Sequence, residues 1–257
     1  MSHAAATKAP VVTSRKAQAG PVRTMIVNDG TSHVAVMIID QRHTRLVWHP
    51  GKLVPGGLGW PTPDQLGGVE RRNVLATFNG GFMNLASRGG IRAGGASHGA
   101  LRTGAAALVL NASGRADVVA YDPLRDHAAA VIRENLDLLV DGGRVVARAD
   151  EDDTSRWGKT LHHRHATWRT GVGILANGRL VVVLGDALTT RALGDALVLR
   201  GATRGMELDI NPQFTALLTY EHTTGTAVPR AVLPSEQGSA RRYLRPSNRD
   251  FFSVLPR

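Results

Sequence analysis

Residues 170–185, TGVGILANGRLVVVLG, place two β-branched and apolar runs on either side of Asn177-Gly178. An Asn-Gly pair between such runs is the strongest short-range signal for a β-hairpin, because these residues accept the backbone angles of a tight turn. The segment therefore commits this part of the chain to two neighbouring antiparallel strands, and any fold must be assembled around them.

Further strand signals surround it. Residues 23–48 contain short β-branched runs broken at NDG and DQRH, which predicts a meander with a turn at Asp29-Gly30. NVLATFNGGFM reads as a strand ending on Asn79-Gly80-Gly81, and AAALVLNASGRADVVAY as a hairpin turning at ASG. The stretch from Pro55 to Gly68 is a loop by composition, and residues 127–139 carry a weak helical period. TTRALGDALVLRG predicts a helix capped by Thr189 or Thr190 and closed by Gly201. A strand over GMELDINPQF follows, and FTALLTY, AVPRAVL and DFFSVL supply late strands. No repeat period and no regular β-α alternation occur, so a doubly wound dinucleotide fold is disfavoured. The expected architecture is α+β: a single domain of mixed, mainly antiparallel β-sheets with a few packed helices. Residues 1–22 read as a disordered lead-in, and 23–257 as the domain.

With 257 residues and 42% hydrophobic content the chain can bury a core without staples. It has no cysteine, which removes disulfides, thiolate metal sites and cysteine nucleophiles. The leading segment lacks the apolar centre of a signal peptide, and no apolar run approaches the ~20 residues that cross a bilayer. The formal charge is +10, carried almost wholly by arginine, since only Lys8, Lys16, Lys52 and Lys159 are lysines. That balance favours an anionic partner. Dispersed arginines without a recognition module make specific nucleic-acid binding the weakest option.

GMELDINPQF, residues 205–214, sets the chemical question. On an extended strand Met206, Leu208 and Ile210 face one way, and Glu207, Asp209 and Asn211 the other. Two acids at this spacing lie roughly 6.5–7 Å apart at their stems, within reach of the geometry of paired carboxylates that flank a glycosidic bond. A structural pairing with arginines such as Arg204 or Arg249 is the alternative. In WRTGVG, Arg169 shares a face with Gly171 and Gly173, an arrangement that forms either a ligand slot edged by a guanidinium or a close approach to a neighbouring element. FNGGF offers a turn in which Gly80 and Gly81 could form an anion-binding nest beside Asn79. GGIRAGG is a second candidate loop. In HHRH, His162 and His165 are candidates for proton transfer, with a solvated loop as the alternative. GASHG contains a literal G-x-S-x-G, with Asp209 and His222 following in serine-hydrolase order, yet no apolar strand leads into Ser97. Ser97 is a runner-up nucleophile.

ATFNGGF, WRTGVGI, a helix and GATRGMELDIN, in that order, resemble the phosphodiester glycosidase family. The likeness runs from about Val34 to the final SNRDFFSVL. It implies an α+β domain that cleaves the bond between a sugar's anomeric carbon and a phosphodiester. By similarity Asn79, Gly80 and Gly81 match an N-G-G-F motif, Arg169, Thr170 and Gly173 an R-T-x-x-G motif, and Leu208-Asp209 the start of L-D-G-G-G-S. Here Ile210-Asn211-Pro212-Gln213 replaces the glycines, as in a bacterial ELDIN variant that also shares ENLDLLVDGG and WGKT. The resemblance implies Asp209 and Glu207 as the acid/base or nucleophile pair and Arg169 as the phosphate-holding residue. Asn79, Gly80, Gly81, Thr170, Asn211 and His165 would contact substrate. The implied partner is a phosphate-bearing glycan or sugar phosphate, and the implied location is outside the cell or at its envelope. No cofactor is expected, and a divalent cation stays open. Two alternatives are a non-catalytic binder of anionic glycans and a serine hydrolase using Ser97.

Overall fold

The computed structural model describes residues 20–28, 32–125, 128–151, 153–159, 164–223 and 226–257. The lead-in up to residue 19, the Asp29-Gly30 turn and His162 lie outside these residues.

The hairpin is the centre of the molecule. β12 (Thr167–Leu175) and β13 (Leu180–Leu188) pair antiparallel with Val172 opposite Val182. The connection is a three-residue loop: Leu175 donates its N–H to the Arg179 carbonyl at 2.9 Å, and Gly178, at φ +76°, returns one to the Leu175 carbonyl at 2.8 Å. A two-residue turn would need positive φ at Asn177 as well, and only Gly178 adopts it. Asn177 instead accepts the Arg179 N–H through its side chain at 3.1 Å.

Around this pair a seven-stranded sheet runs β1 (Val22–Asn28), β2 (His33–Ile39), β13, β12, β14 (Ala202–Glu207), β10 (Leu138–Asp141), β11 (Arg144–Val145). A five-stranded sheet has the order β16 (Thr226–Ala231), β15 (Leu217–Thr223), β4 (Ala76–Asn79), β17 (Phe251–Pro256), β3 (Thr44–His49). A second has the order β6 (Ala96–His98), β5 (Ile91–Ala93), β9 (Ala129–Glu134), β7 (Ala106–Asn111), β8 (Ala116–Ala120). Pairing within all three sheets is antiparallel. The fold is α+β, as the strand-rich sequence implies.

The unbroken apolar run of β13 is explained by burial on both faces. Val182 and Leu184 join Trp48, Phe78, Leu108 and Phe252 in a core shared by the three sheets. Val181 and Val183 face the other way and pack with Leu193 and Leu197 of α4 (Thr190–Leu199). α4 starts where Thr189 accepts the Ala192 N–H at 3.0 Å, and the chain reverses at Gly201, φ +87°. Three shorter helices, α1 (Gly68–Asn73), α2 (Asn84–Ser87) and α3 (Thr154–Trp157), lie in connections.

Two sequence expectations change. The weak helical period over 127–139 gives way to β9 and the start of β10, because β9 is sandwiched between β5 and β7 and β10 pairs with β14. Pairing on both edges outweighs a weak local period. The strand expected across 205–214 stops at Glu207. Pairing with β12 continues through Leu208 N–H to Thr170 O at 2.7 Å and Thr170 N–H to Asp209 O at 2.9 Å, before the chain turns at Asn211.

Thr189→Ala removes the cap of α4 and should cost about 1 kcal/mol, read from urea unfolding midpoints at an unchanged slope.

Candidate functional site

β4, β9 and β14 end, and β12 and β17 begin, in one region, and this convergence buries an unusual number of polar groups. Asn79, Arg133, Glu134, Asn135, Arg169, Thr170, Glu207, Asp209 and Asp250 are all buried. Buried polar groups persist only when they are hydrogen-bonded, so their partners define the site.

Arg133 lies at the bottom. Its Nε donates to Asp250 Oδ2 at 2.8 Å and its Nη2 to Asp250 Oδ1 at 3.2 Å. The same guanidinium reaches the carbonyls of Phe82 at 2.7 Å and Glu134 at 2.5 Å, and Trp48 Nε1 donates to Asp250 at 3.1 Å. Asn135 then ties two loops together: its Nδ2 donates to the Glu207 carbonyl at 2.5 Å and the Leu208 carbonyl at 3.0 Å, while its Oδ1 accepts the Phe82 N–H at 3.1 Å.

Above this floor Asn79 donates to Thr170 Oγ1 at 3.0 Å and to the Gly80 carbonyl at 2.7 Å, and accepts the Ala216 N–H at 3.0 Å. Thr170 Oγ1 also accepts the Asp209 N–H at 3.1 Å. Asn79 and Thr170 thus fix the backbone of Asp209. Gly80 and Gly81 are not in the left-handed region, and the Gly80 N–H is spent on the Asp250 carbonyl at 2.8 Å. Of the two readings of this segment, a plain strand-end turn or an anion-binding nest, the geometry at Gly80 fits the turn. These glycines are required by crowding: a Cβ on Gly80 would sit 2.1 Å from Asp250 Oδ2, and one on Gly81 2.9 Å from Asn135 Oδ1.

Each of the two acids meets its own arginine. Glu207, with no exposed surface, holds Arg169 Nη1 at 2.5 Å through Oε1, while its Oε2 has no partner among the described residues. Arg169 Nε donates to the Leu188 carbonyl at 2.9 Å. Asp209 Oδ1 accepts the N–H groups of Ile210 at 2.8 Å and Asn211 at 2.9 Å, and Oδ2 holds Arg249 Nη2 at 2.8 Å. Arg249 also donates to the Gly81 carbonyl at 3.1 Å, with its guanidinium carbon 4.4 Å from the Phe214 ring centroid. Burial pushes both carboxyls above the usual carboxylate range. Arg169 pulls Glu207 back while the Asp209 charge adds to the rise; Arg249 and two backbone N–H groups oppose the rise in Asp209.

The two ion pairs differ in access. On the Arg169 side, Trp157, Gly158, His165 and Thr190 enclose a hollow of about 20 Å³, the size that holds one water. On the Arg249 side a cleft of about 260 Å³ is lined by Gln213, Phe214, Ser239, Arg242, Tyr243 and Arg249. Only the second has room for a phosphate-sized group. Arg242 braces this cleft by donating to the Gln213 carbonyl at 3.0 Å and the Ser239 carbonyl at 3.1 Å. Glu236, near enough to feel the Arg242 charge, has its pKa raised by burial to about 7, against the N–H groups of Leu217 and Leu233 that it accepts.

The remaining sequence candidates separate. The glycine face beside Arg169 is no ligand slot: the space over Gly171 is filled by Leu193 of α4, and that over Gly173 by Ala202 and the Arg204 carbonyl. Arg204 pairs with Asp117, at 2.8 Å, away from both acids. Asn211 caps its own turn, accepting the Gln213 N–H at 2.9 Å, and is partly exposed. His165 is exposed on the rim of the small hollow. The serine-hydrolase constellation is not assembled. Ser97 sits on the exposed strand β6 opposite Arg92, His222 Nε2 donates to the Val74 carbonyl at 2.7 Å, and Asp209 is held by Arg249. No helix leaves Ser97, so the nucleophile elbow is lacking. Among the described residues no group of three or more acids and histidines is arranged to hold a metal ion, and no helix is long and apolar enough to cross a membrane.

No family model matches the chain, and no curated protein matches it. Solved structures do. The zebrafish N-acetylglucosamine-1-phosphodiester alpha-N-acetylglucosaminidase catalytic domain, auto-inhibited by its pro-peptide, aligns over 97% of this chain and 88% of its own at 15% identity, with a TM-score of 0.57. A hypothetical protein from Synechocystis aligns over 92% of this chain and 62% of its own at 12% identity, with a TM-score of 0.55. The fold is shared with both.

Two changes test the construction. Arg133→Ala strands Asp250 as an unpaired buried charge and should lower stability by about 3–5 kcal/mol in urea unfolding. For Glu236, a raised native pKa means that folding takes up a proton, so stability should fall as pH rises from 4.5 to about 7. Glu236→Gln should flatten that slope when urea midpoints are compared at pH 4.5 and 8.

Proposed function

We propose that the protein is a hydrolase of sugar phosphodiesters that cleaves between the anomeric carbon and the phosphate oxygen. The observation that carries this reading is the Asp209–Arg249 pair, with Arg249 lining the Phe214–Arg242 cleft and Asp209 directly behind it. The N-G-G-F, R-T-x-x-G and L-D segments that suggest the phosphodiester glycosidase family converge on this pair, and the fold shared with the zebrafish catalytic domain supports the same reaction class.

In this reading Arg249, not Arg169, receives the phosphate. A phosphate oxygen in the cleft competes with Asp209 Oδ2 for the guanidinium, and charge-assisted contacts to phosphate are well matched to arginine. Losing its counter-ion in a buried setting makes Asp209 a stronger proton acceptor, suited to general acid/base work at the scissile bond. Water attacks the anomeric carbon, the C–O bond breaks, and the phosphomonoester leaves with its charge held by Arg249. Glu207 and Arg169 act from behind: their pair fixes the end of β14 and the start of β12, and so the position of Asp209. Asn79 and Thr170 serve the same purpose through the backbone.

A second reading is favoured by the closure of both carboxylates, each already paired: the cleft binds a phosphorylated glycan without cutting it. Turnover of a chromogenic sugar-1-phosphodiester separates the two. Asp209→Asn should lower kcat/KM by at least about 10²-fold, in the range for loss of an acid/base group. Arg249→Ala should lower it further by raising KM. Undiminished product formation by folded Asp209→Asn protein would rule out the assignment, and binding without turnover by wild type would establish the second reading.

A further inference from the structure

The far end of the long hairpin carries a second opening. A cleft of about 610 Å³ lies between the β7–β8 turn, the Ile174–Gly178 turn, and Thr203 and Arg204 at the start of β14. Arg204 precedes Asp209 by five residues of extended chain, roughly 16 Å at about 3.3 Å per residue, so this is a place apart from the acid pairs.

Its lining divides by chemistry. Val109, Leu110, Ala129, Ile174 and Leu175 contribute apolar surface, while among the described residues Arg115, Arg125 and Arg204 face one acid, Asp117. Arg204 neutralises that acid with two contacts to its carboxylate, at 2.8 and 2.9 Å, and donates to the Val118 carbonyl at 2.6 Å. Arg125 is held loosely by Asp122 at 3.4 Å, with 86% of its side chain exposed. The Arg115 guanidinium has no ion pair or hydrogen bond among the described residues and leans over Gly178, where an added Cβ would meet its Nη2 at 2.6 Å. One whole positive charge and one weakly compensated charge therefore border the cleft.

The walls are fixed before any ligand arrives. Gln41, buried between them, donates to the Ala116 carbonyl at 2.9 Å and the Gly178 carbonyl at 2.8 Å and accepts the Ala116 N–H at 2.6 Å. This amide locks the β7–β8 turn to the β12–β13 turn. A preorganised concave site of several hundred Å³ with apolar walls and a few charged groups is the usual form of a small-molecule site.

The geometry points to a binding site here for a small phosphorylated ligand, its phosphate held by Arg115 and Arg125 and its uncharged body resting on the apolar wall. A phosphate monoester carries nearly two negative charges at neutral pH, which matches two guanidinium groups better than a single carboxylate does. The inference does not depend on hydrolysis at Asp209.

The test titrates the full chain at low salt with inorganic pyrophosphate, glucose 1-phosphate and adenosine 5′-monophosphate by calorimetry. Wild type should bind at least one of the two esters more tightly than pyrophosphate, and the tighter ester identifies the ligand body. Arg115→Ala with Arg125→Ala should weaken that binding at least tenfold while leaving the melting temperature and chromogenic turnover unchanged, since both side chains are exposed. Arg249→Ala should leave it intact. Absence of binding by wild type, equal binding by the double variant, or loss confined to Arg249→Ala would overturn the site; binding of pyrophosphate alone would overturn the assigned ligand.

Discussion

Everything in this fold passes through the buried contact between Arg133 and Asp250. The first belongs to a strand of one five-stranded sheet and the second immediately precedes a strand of the other, and both side chains are buried. A charge in such surroundings is tolerable only when its remaining donors and acceptors are occupied. That requirement draws in Trp48, the Phe82 carbonyl and the Glu134 carbonyl, and through Asn135 the ends of β14. The three sheets are thus joined by polar contacts at one end and by a shared apolar core behind it. Apolar contact alone would leave the sheets free to slide by small amounts; directional bonds fix their ends.

The same economy explains why the acids of GMELDINPQF are buried. Glu207 and Asp209 sit where strand pairing gives out, and each is supplied with an arginine from another part of the chain. The difference between them is one of neighbourhood. Arg169 faces a space that fits a water molecule, whereas Arg249 borders an opening of about 260 Å³ beneath an aromatic ring. Access to solvent, more than residue type, distinguishes the two pairs.

Much of the framework was legible in sequence because it follows from local rules. The Asn177-Gly178 hairpin, the Thr189 cap, Gly201 and the strand ending on Asn79 all depend on nearby residues, and the structure contains each. Residues 127–139 were not legible as strands, since their pairing partners lie on β5, β7 and β14 and a short window does not see them. The site was half legible. Asn79, Arg169, Glu207 and Asp209 stand out as polar groups in apolar runs, but Arg133, Asn135 and Asp250 are absent from the sequence candidates. The signal for them was present in IRENLDLLV and RDFFSV, where a polar cluster interrupts a strand that must be buried. The role of Gly171 and Gly173 could not be read locally, because α4 and β14, not a ligand, occupy the space above them.

Arg133 and Asn135 grasp mainly carbonyl oxygens, those of Phe82, Glu134, Glu207 and Leu208, and so act on atoms that every residue type provides. Divergence at the grasped positions therefore leaves the grip intact, while divergence at the grasping ones does not. A chain held this way can change side chains at the grasped positions and keep its backbone path, since the contact is made to atoms common to all residues.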